Sequence, residues 1–391
     1  MVRKAMRVAA AAAALLLLGG CLTFGSIETR GTNINEGIGV MQNRAILLNL
    51  VRASRNEPLY FTSINQVQAQ GAADLKLSAP LVLTGGGLSL AQRAFTWNSG
   101  GSTFLDNSTN TNFQVGVYST QAFYSGMLAP LGLTEVDLLL HQGFPRELVF
   151  YLVIDKAKLT NVKTGQTIIV YNDPTNRASY AQFVAAIQSA MVHGLVTEVP
   201  QSHETGEAPR AASGGPGPPA PIAVKPPPPP APQLCFEPAL ATTDAKTEFA
   251  ELAQEGKPPN FCGGGPRARA NSRLTVRLFG QDIEVEVTTR SIYGIFRYLG
   301  QVLAHPDSVP QLVDYGVPSE TTPAGPLLSV NPDSALPGGC FSEVRYEGGS
   351  YCVPQDGAQN TKTIFNVLSV LVALKQSPGD LPATATVLVA P

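Results

Sequence analysis

The amino-acid sequence predicts an α+β protein in which helices pack on mainly antiparallel sheets. Apolar residues recur at helical spacing in several segments, as at Ile364, Leu368 and Leu371. Other segments alternate apolar and polar residues on both sides of a short turn, which is typical of antiparallel hairpins. Hairpins followed by helices favour layers of helix packed on antiparallel sheet.

A proline-rich stretch, 200–233, divides the chain into two parts. Twelve of its 34 residues are proline, and five prolines follow one another at 226–230. Such a composition builds no hydrophobic core, so polyproline II, flexibility and hence disorder are expected there. The stretch is either a linker between two α+β lobes, 33–199 and 234–391, or a long insertion within one fold.

The N-terminal lobe begins with a predicted helix over 37–55, whose apolar residues share one face and which Pro58 ends. Strand-forming runs, N-cap residues and turn residues predict the elements that follow. These are a strand over 59–64, a polar loop over 96–113 that contains Trp97, a strand over 113–117, a helix over 119–128, a helix over 135–142 capped by Thr134, a helix with Pro145 in its first turn, a hairpin with arms 153–160 and 167–171, and a helix over 180–193 that ends at Gly194.

The C-terminal lobe is predicted from the same kinds of signal. Its strongest pattern is a hairpin, because two alternating runs flank the turn 280–282. The predicted elements are hairpin arms at 274–279 and 283–287, a helix capped by Thr289 or Ser291 and reaching Ala304, a strand over 327–330, a hairpin over 341–351 turning near 348–349, a helix starting at Asn360 or Thr361, and a strand over 384–389.

The first twenty residues have the pattern of a bacterial signal peptide. Basic residues precede an apolar run over 8–18, which is about 16 Å long as a helix and too short to span a bilayer. The run leads into Leu18-Gly19-Gly20-Cys21, which resembles the lipobox of bacterial lipoproteins. This resemblance implies cleavage before Cys21, lipid on its sulfur and amine, and a short lipidated tether over 21–32.

The residue after the cysteine is Leu22 rather than aspartate. By resemblance to Gram-negative lipoproteins, this favours the outer membrane, with the protein facing the periplasm. Lipidation at Cys21 makes the membrane itself a partner, because two or more acyl chains anchor a protein stably.

Two short segments are similar to uncharacterised Gram-negative envelope lipoproteins. They are 49–61, and Arg290-Ser291 together with 298–300. The resemblance implies no known activity. Within the first segment, Arg52, Arg55 and Glu57 are interpreted as a charge cluster at a helix end.

Charge and cysteine content narrow the partners and the compartment. Without its signal peptide the chain keeps 24 of 27 basic residues against 29 acidic ones, which argues against nucleic acid as a partner. Four cysteines remain after Cys21, and an even number in an oxidising compartment predicts two disulfides. Three pairings of Cys235, Cys262, Cys340 and Cys352 are possible, and the nearest-neighbour choice is Cys235–Cys262 with Cys340–Cys352. The second bridge requires an irregular strand start, since Cys352 falls opposite Glu343 or Arg345.

Motifs for catalysis, cofactors or metals are absent from the sequence. It contains no GxSxG, no serine followed three positions later by lysine, and no HExxH or CxxC. The histidines His141, His193 and His305 are predicted to lie at helix ends, and His203 lies in the proline-rich stretch. Seven aromatic residues are candidates for a binding groove, although their spacing favours the core. They are Phe123, Tyr124, Phe150, Tyr151, Tyr293, Phe296 and Tyr298.

The sequence therefore favours a non-enzymatic, lipid-anchored envelope protein that acts as a structural or interaction component, with other envelope proteins as partners. Two alternatives remain open at this point. One is a module that binds glycan, peptidoglycan or another surface polymer, and the other is a hydrolase with a convergent site.

Overall fold

The computed structural model of the protein describes residues 27–71, 109–118, 120–199, 232–254, 260–263, 274–278, 280–315, 324–332 and 338–376. These residues form an α+β protein with small antiparallel sheets, as predicted. They fall into two compact units: the larger holds the described residues up to Leu59 and from Gln121 to Gln376, and the smaller holds those from Tyr60 to Thr120. Within the described ranges, no helix is long and apolar enough to cross a membrane.

Eight α-helices lie in the described ranges. They are α1 (Ile27–Ser54), α2 (Gln121–Leu128), α3 (Leu133–His141), α4 (Arg146–Val153), α5 (Arg177–Val192), α6 (Thr243–Gln254), α7 (Ile292–Ala304) and α8 (Gln359–Leu374). Twelve strands accompany them in the same ranges. They are β1 (Thr62–Gly71), β2 (Thr109–Val117), β3 (Ile154–Asn161), β4 (Thr167–Tyr171), β5 (Leu195–Glu198), β6 (Gln233–Phe236), β7 (Leu274–Leu278), β8 (Gln281–Thr289), β9 (Gln311–Leu312), β10 (Gly325–Pro326), β11 (Cys340–Tyr346) and β12 (Gly349–Pro354).

A four-stranded antiparallel sheet with the order β4-β3-β8-β7 is the centre of the larger unit. One face carries apolar residues such as Ala157, Leu159 and Val276, and these are buried. Phe183 and Ile187 of α5 are buried beside this face and line, with it, an apolar cavity of about 20 Å³. Alternation with a period of two places the hydrophobic set of each strand on the helix-covered face.

The proline-rich stretch interrupts this unit. Strands β3 and β4 precede it and β7 and β8 follow it, yet all four belong to one sheet. Strand β5 pairs with β6 so that Glu198, just before the stretch, lies opposite Gln233 at its end. An insertion within one fold fits this arrangement. A linker between separate lobes, 33–199 and 234–391, does not fit it, because the supposed lobes share a sheet.

Helix α1 is longer than the predicted helix over 37–55. Its helical backbone begins at Ile27, so residues 27–32 are not the extended tether that was expected. The buried apolar face begins only at Ile46, which left the first half without a periodic signal. Once the packed half of a helix has formed, each further residue adds one hydrogen bond without a new nucleation cost.

Several local predictions are confirmed and others are wrong. Ser291 is the N-cap of α7, and its Oγ accepts a hydrogen bond from the N–H of Gly294 at 3.0 Å. Helix α3 starts after Gly132 instead of at a Thr134 cap. Residues 59–61 precede β1, and 327–330 form no strand because their chain follows the short β9–β10 ladder. Trp97 and the predicted strand 384–389 lie outside the described residues.

The smaller unit is an antiparallel hairpin of β1 and β2. Thr62 lies opposite Val117, and the register shifts once, between Ile64 and Gln66. The N–H of Tyr118 continues the ladder by donating to the carbonyl of Phe61 at 3.0 Å.

Candidate functional site

Both predicted disulfides are present with the nearest-neighbour pairing. Cys235 on β6 is joined to Cys262, with a Cα–Cα distance of 5.0 Å. Cys340 is joined to Cys352 at 5.6 Å, while Cys352 lies opposite Glu343 in the ladder. The register shifts after Cys340, which is the irregular strand start that this bridge requires. Cys21 lies outside the described residues.

A carboxylate lies beside the first disulfide. The Oε2 atom of Glu198 accepts a hydrogen bond from the N–H of Gly263 at 2.7 Å and lies 3.8 Å from the Sγ of Cys235. Glu198, Cys235 and Cys262 are the one group in the described ranges where three possible metal-binding atoms converge. The two sulfurs are bonded to each other, so they offer no thiolates to a metal. The cluster is a disulfide with a fixed carboxylate next to it.

The described histidines lie at helix ends, as predicted. His141 ends α3 and is largely exposed, and His305 is the C-cap of α7. His193, the C-cap of α5, is buried, and its ring lies 2.6 Å from the carbonyl of Ser189 and 3.3 Å from a carboxylate oxygen of Glu248. These contacts tie α5 to α6, so His193 has a structural role.

The aromatic candidates are mostly core residues. Phe123, Phe150, Tyr151, Phe296 and Tyr298 are each at most 1% exposed. They fill the space between helices and do not line a groove, which confirms the interpretation of their spacing.

A buried arginine joins several elements at the end of the sheet. Arg290 donates hydrogen bonds to the carbonyls of Tyr151, Leu152 and Asn172 at 3.3, 3.1 and 2.6 Å. Its guanidinium carbon lies 4.2 Å from the ring centre of Tyr298. Burial lowers the pKa of Arg290 and raises the pKa of Tyr298 to about 12. Because its donors are directed at backbone carbonyls, Arg290 fixes the α4–β3 junction and the end of β4 to α7.

The charged end of α1 contacts the β11–β12 turn. Arg55 pairs with Glu347 and donates to the hydroxyl of Tyr351 at 3.0 Å. Tyr346 donates to Glu57 at 2.5 Å, and this hydrogen bond raises the pKa of Tyr346. Opposite charges therefore compensate one another, as expected of a helix-end charge cluster.

The two segments that resemble envelope lipoproteins meet where α1 crosses α7. A Cβ atom added to Gly300 would lie 2.5 Å from the backbone carbon of Ala53. Only glycine fits at this crossing, because the two backbones are in close contact. The resemblance thus follows a packing site, and it marks architecture rather than chemistry.

The feature that the fold does not use is the edge strand β4. Its side chains include Ile168, Ile169 and Tyr171, which are 50%, 48% and 42% exposed, and it carries no charge. Val162, at the turn between β3 and β4, is 48% exposed. We call Thr167–Tyr171 the open edge. Soluble proteins usually blunt such edges with charge, proline or a bulge, since uncovered strands pair with other chains.

Hydrogen bonds at both ends of β4 show which backbone groups point outward. The N–H of Asn161 donates to Gln166 at 2.8 Å, and the N–H of Asn172 donates to Asp155 at 2.9 Å. Every second residue from 166 to 172 therefore faces β3, whereas Thr167, Ile169 and Tyr171 direct N–H and C=O away from the sheet.

One of the outward groups already has a partner. The N–H of Tyr171 donates to Ser179 Oγ at 2.7 Å. Among the described residues, the N–H groups of Thr167 and Ile169 have no hydrogen-bond acceptor. The open edge thus offers unsatisfied backbone groups next to exposed apolar side chains.

Comparisons of the chain with protein-family models, with curated proteins and with solved structures found no match. The candidate site therefore depends on the geometry. The hairpin of β3 and β4 was predicted from the sequence, but the open edge was not. The absence of charge over 166–172, combined with strong strand formers, was the signal that could have indicated it.

Proposed function

We propose that the protein is a lipid-anchored component of the cell envelope that acts by binding other proteins and not by catalysis. The open edge is the observation that carries the proposal. An extended segment of a partner can add to such an edge as a further strand, with backbone hydrogen bonds supplying affinity and exposed side chains supplying selectivity.

The buried polar groups support this proposal because their hydrogen bonds are made within the fold. Arg290 donates to three carbonyls, and Glu147 accepts from the N–H of Val313 at 2.9 Å and from the hydroxyl of Tyr315 at 3.2 Å. The cavity beneath the sheet, at about 20 Å³, has room for a water molecule but not for a substrate.

The location is part of the proposal. Two disulfides fit an oxidising compartment outside the cytoplasm. The signal sequence and Cys21 support attachment by lipid to the outer membrane, facing the periplasm. Replacing Cys21 with alanine is expected to release the protein from membranes in flotation experiments. Continued flotation of the variant would contradict the lipid anchor.

Binding at the open edge is tested by placing a photoreactive amino acid at position 169 of the lipidated protein in intact cells. We expect discrete crosslinked protein products from this position. The matched control is position 128, because Leu128 is even more exposed, at 58%, but lies on α2. Equal crosslinking from both positions, or none from 169, would refute the open edge as a docking site.

A further inference from the structure

We infer that the open edge binds a second copy of this chain, with the two β4 strands antiparallel about a two-fold axis that passes beside Ile169. This inference rests on the proposed function, since it identifies the partner at the same docking site. A closed two-fold interface requires a surface that is complementary to itself. The open edge meets that requirement in its hydrogen bonds, its side chains and its charge.

The backbone groups match under this symmetry. Ile169 lies opposite Ile169 of the second copy, so that each N–H donates to the other carbonyl. The N–H of Thr167 lies opposite the carbonyl of Tyr171 of the second copy, and the reverse. The pairing therefore forms four hydrogen bonds, and Tyr171 keeps its own N–H on Ser179. The N–H groups that lack an acceptor within the chain are the ones that gain one.

The side chains match as well. Residues 169 and 171 project from one face of the sheet and 168 and 170 from the other. The two-fold axis places Ile169 beside Ile169 on the first face and Ile168 beside Val170 of the second copy on the other face. Ile168 and Ile169, each about half exposed in one chain, thereby gain apolar neighbours.

Charge does not oppose the pairing. The open edge is uncharged, and the nearest row of lysines lies on β3. Lys158 already pairs with Glu286 at 3.4 Å. The β3 strands of the two copies would be three strand spacings apart, roughly 14 Å, which exceeds the screening length of about 8 Å at physiological salt. Like charges on β3 therefore repel only weakly.

A ladder of five residues a side is short compared with the roughly 20–30 residues a side of a standard interface. The pair is consequently weak in dilute solution. Lipid anchors that hold both copies on one membrane raise their effective concentration, because binding is then confined to a thin layer. We therefore expect a dimer that depends on the anchor.

The test uses Ile169→Cys in the lipidated protein on membrane vesicles under mild oxidation. Facing residues of a hydrogen-bonded antiparallel pair have Cα atoms about 5.5 Å apart, which a disulfide can bridge. We expect a covalent dimer linked 169–169 by mass spectrometry, at about tenfold or more above the Leu128→Cys control, because the anchor concentrates the paired state.

A second measurement checks the register. Thr167→Cys and Tyr171→Cys are expected to crosslink when the two variants are mixed, and neither is expected to crosslink to itself. Absence of the 169–169 link would overturn the second copy as partner. If photocrosslinking from position 169 still captured another protein, the proposed function would stand. If neither experiment gave a product, both proposals would fail.

Discussion

The two edges of the central sheet are treated differently. At β7, Arg277 reaches Glu248 and Glu251 of α6 at 3.9 and 3.4 Å and also pairs with Asp282 at 3.4 Å. A helix and a charged side chain therefore guard that edge. At β4 the strand carries isoleucines and a tyrosine, no charge, and outward N–H groups that find no acceptor in the described part of the chain.

The difference shows that the fold does not require an open edge. Charge on an edge strand is a common device against unwanted pairing, and this protein uses it on one side of the sheet. The other side keeps an uncharged strand that is firmly held at its end by Arg290. An edge that is both ordered and uncovered favours a binding role over a loosely folded border. The predictions below test that contrast.

The largest effect is expected at Arg290, which pins the end of β4. Arg290→Met leaves three carbonyls without their buried donor, so we expect the free energy of unfolding to fall by about 3–5 kcal/mol. Urea unfolding with both disulfides intact measures it. Arg297→Met, on the same helix, removes only an exposed hydrogen bond to Asn56 and should cost less than about 1 kcal/mol. Equal effects of the two changes would refute the pinning of β4 by Arg290.

At the guarded edge, Arg277→Ala is expected to lower stability by about 1–3 kcal/mol, because Asp282 is 4% exposed and loses a charged partner. The matched control is Lys158→Ala, which breaks a pair whose two side chains are about half exposed. That control should cost about 0–1 kcal/mol. If Arg277→Ala behaved like the control, the arginine would be a surface charge and not a guard of the edge.

An ion pair away from both edges provides a reference for these values. Burial alone would raise the pKa of Glu135, but the hydrogen bond from Lys375 at 3.0 Å holds this pKa below its usual range. A depressed carboxyl pKa stabilises the fold above the unfolded pKa of the group. That contribution is lost as the pH falls through the folded pKa.

The Glu135→Gln variant removes this contribution. We expect a loss of about 0.2–1 kcal/mol at pH 7 and no difference from the parent protein near pH 3, where both forms lack the charge. Urea unfolding at the two pH values checks the sign. A difference that grew as the pH fell would show that the sign is wrong.

The sequence predicted what local chemistry determines. The hairpin arms 153–160 and 167–171 agree closely with β3 and β4 because alternation and turn residues are local signals. The pairing of β3 with β8 was not predictable in this way, because Leu159 and Val285 are 126 positions apart in the sequence and meet only in the folded chain. Which strand is an edge depends on that pairing, so the open edge could not be recognised from its own residues alone.

The smallest effect on folding, and the sharpest contrast, is expected within β4 itself. Ile169→Lys places a charge on a half-exposed position and should change the stability of the lipid-free monomer by no more than about 0.5 kcal/mol. The neighbouring Val170 is fully buried, and Val170→Lys should cost about 3 kcal/mol or more, since it buries an unpaired charge. Dilute urea unfolding measures both changes. If Ile169→Lys unfolded the monomer as readily as Val170→Lys, position 169 would belong to the core, and its exposure would no longer argue for a partner. A stable Ile169→Lys monomer that no longer crosslinks on membranes would separate binding from folding at adjacent residues of one strand.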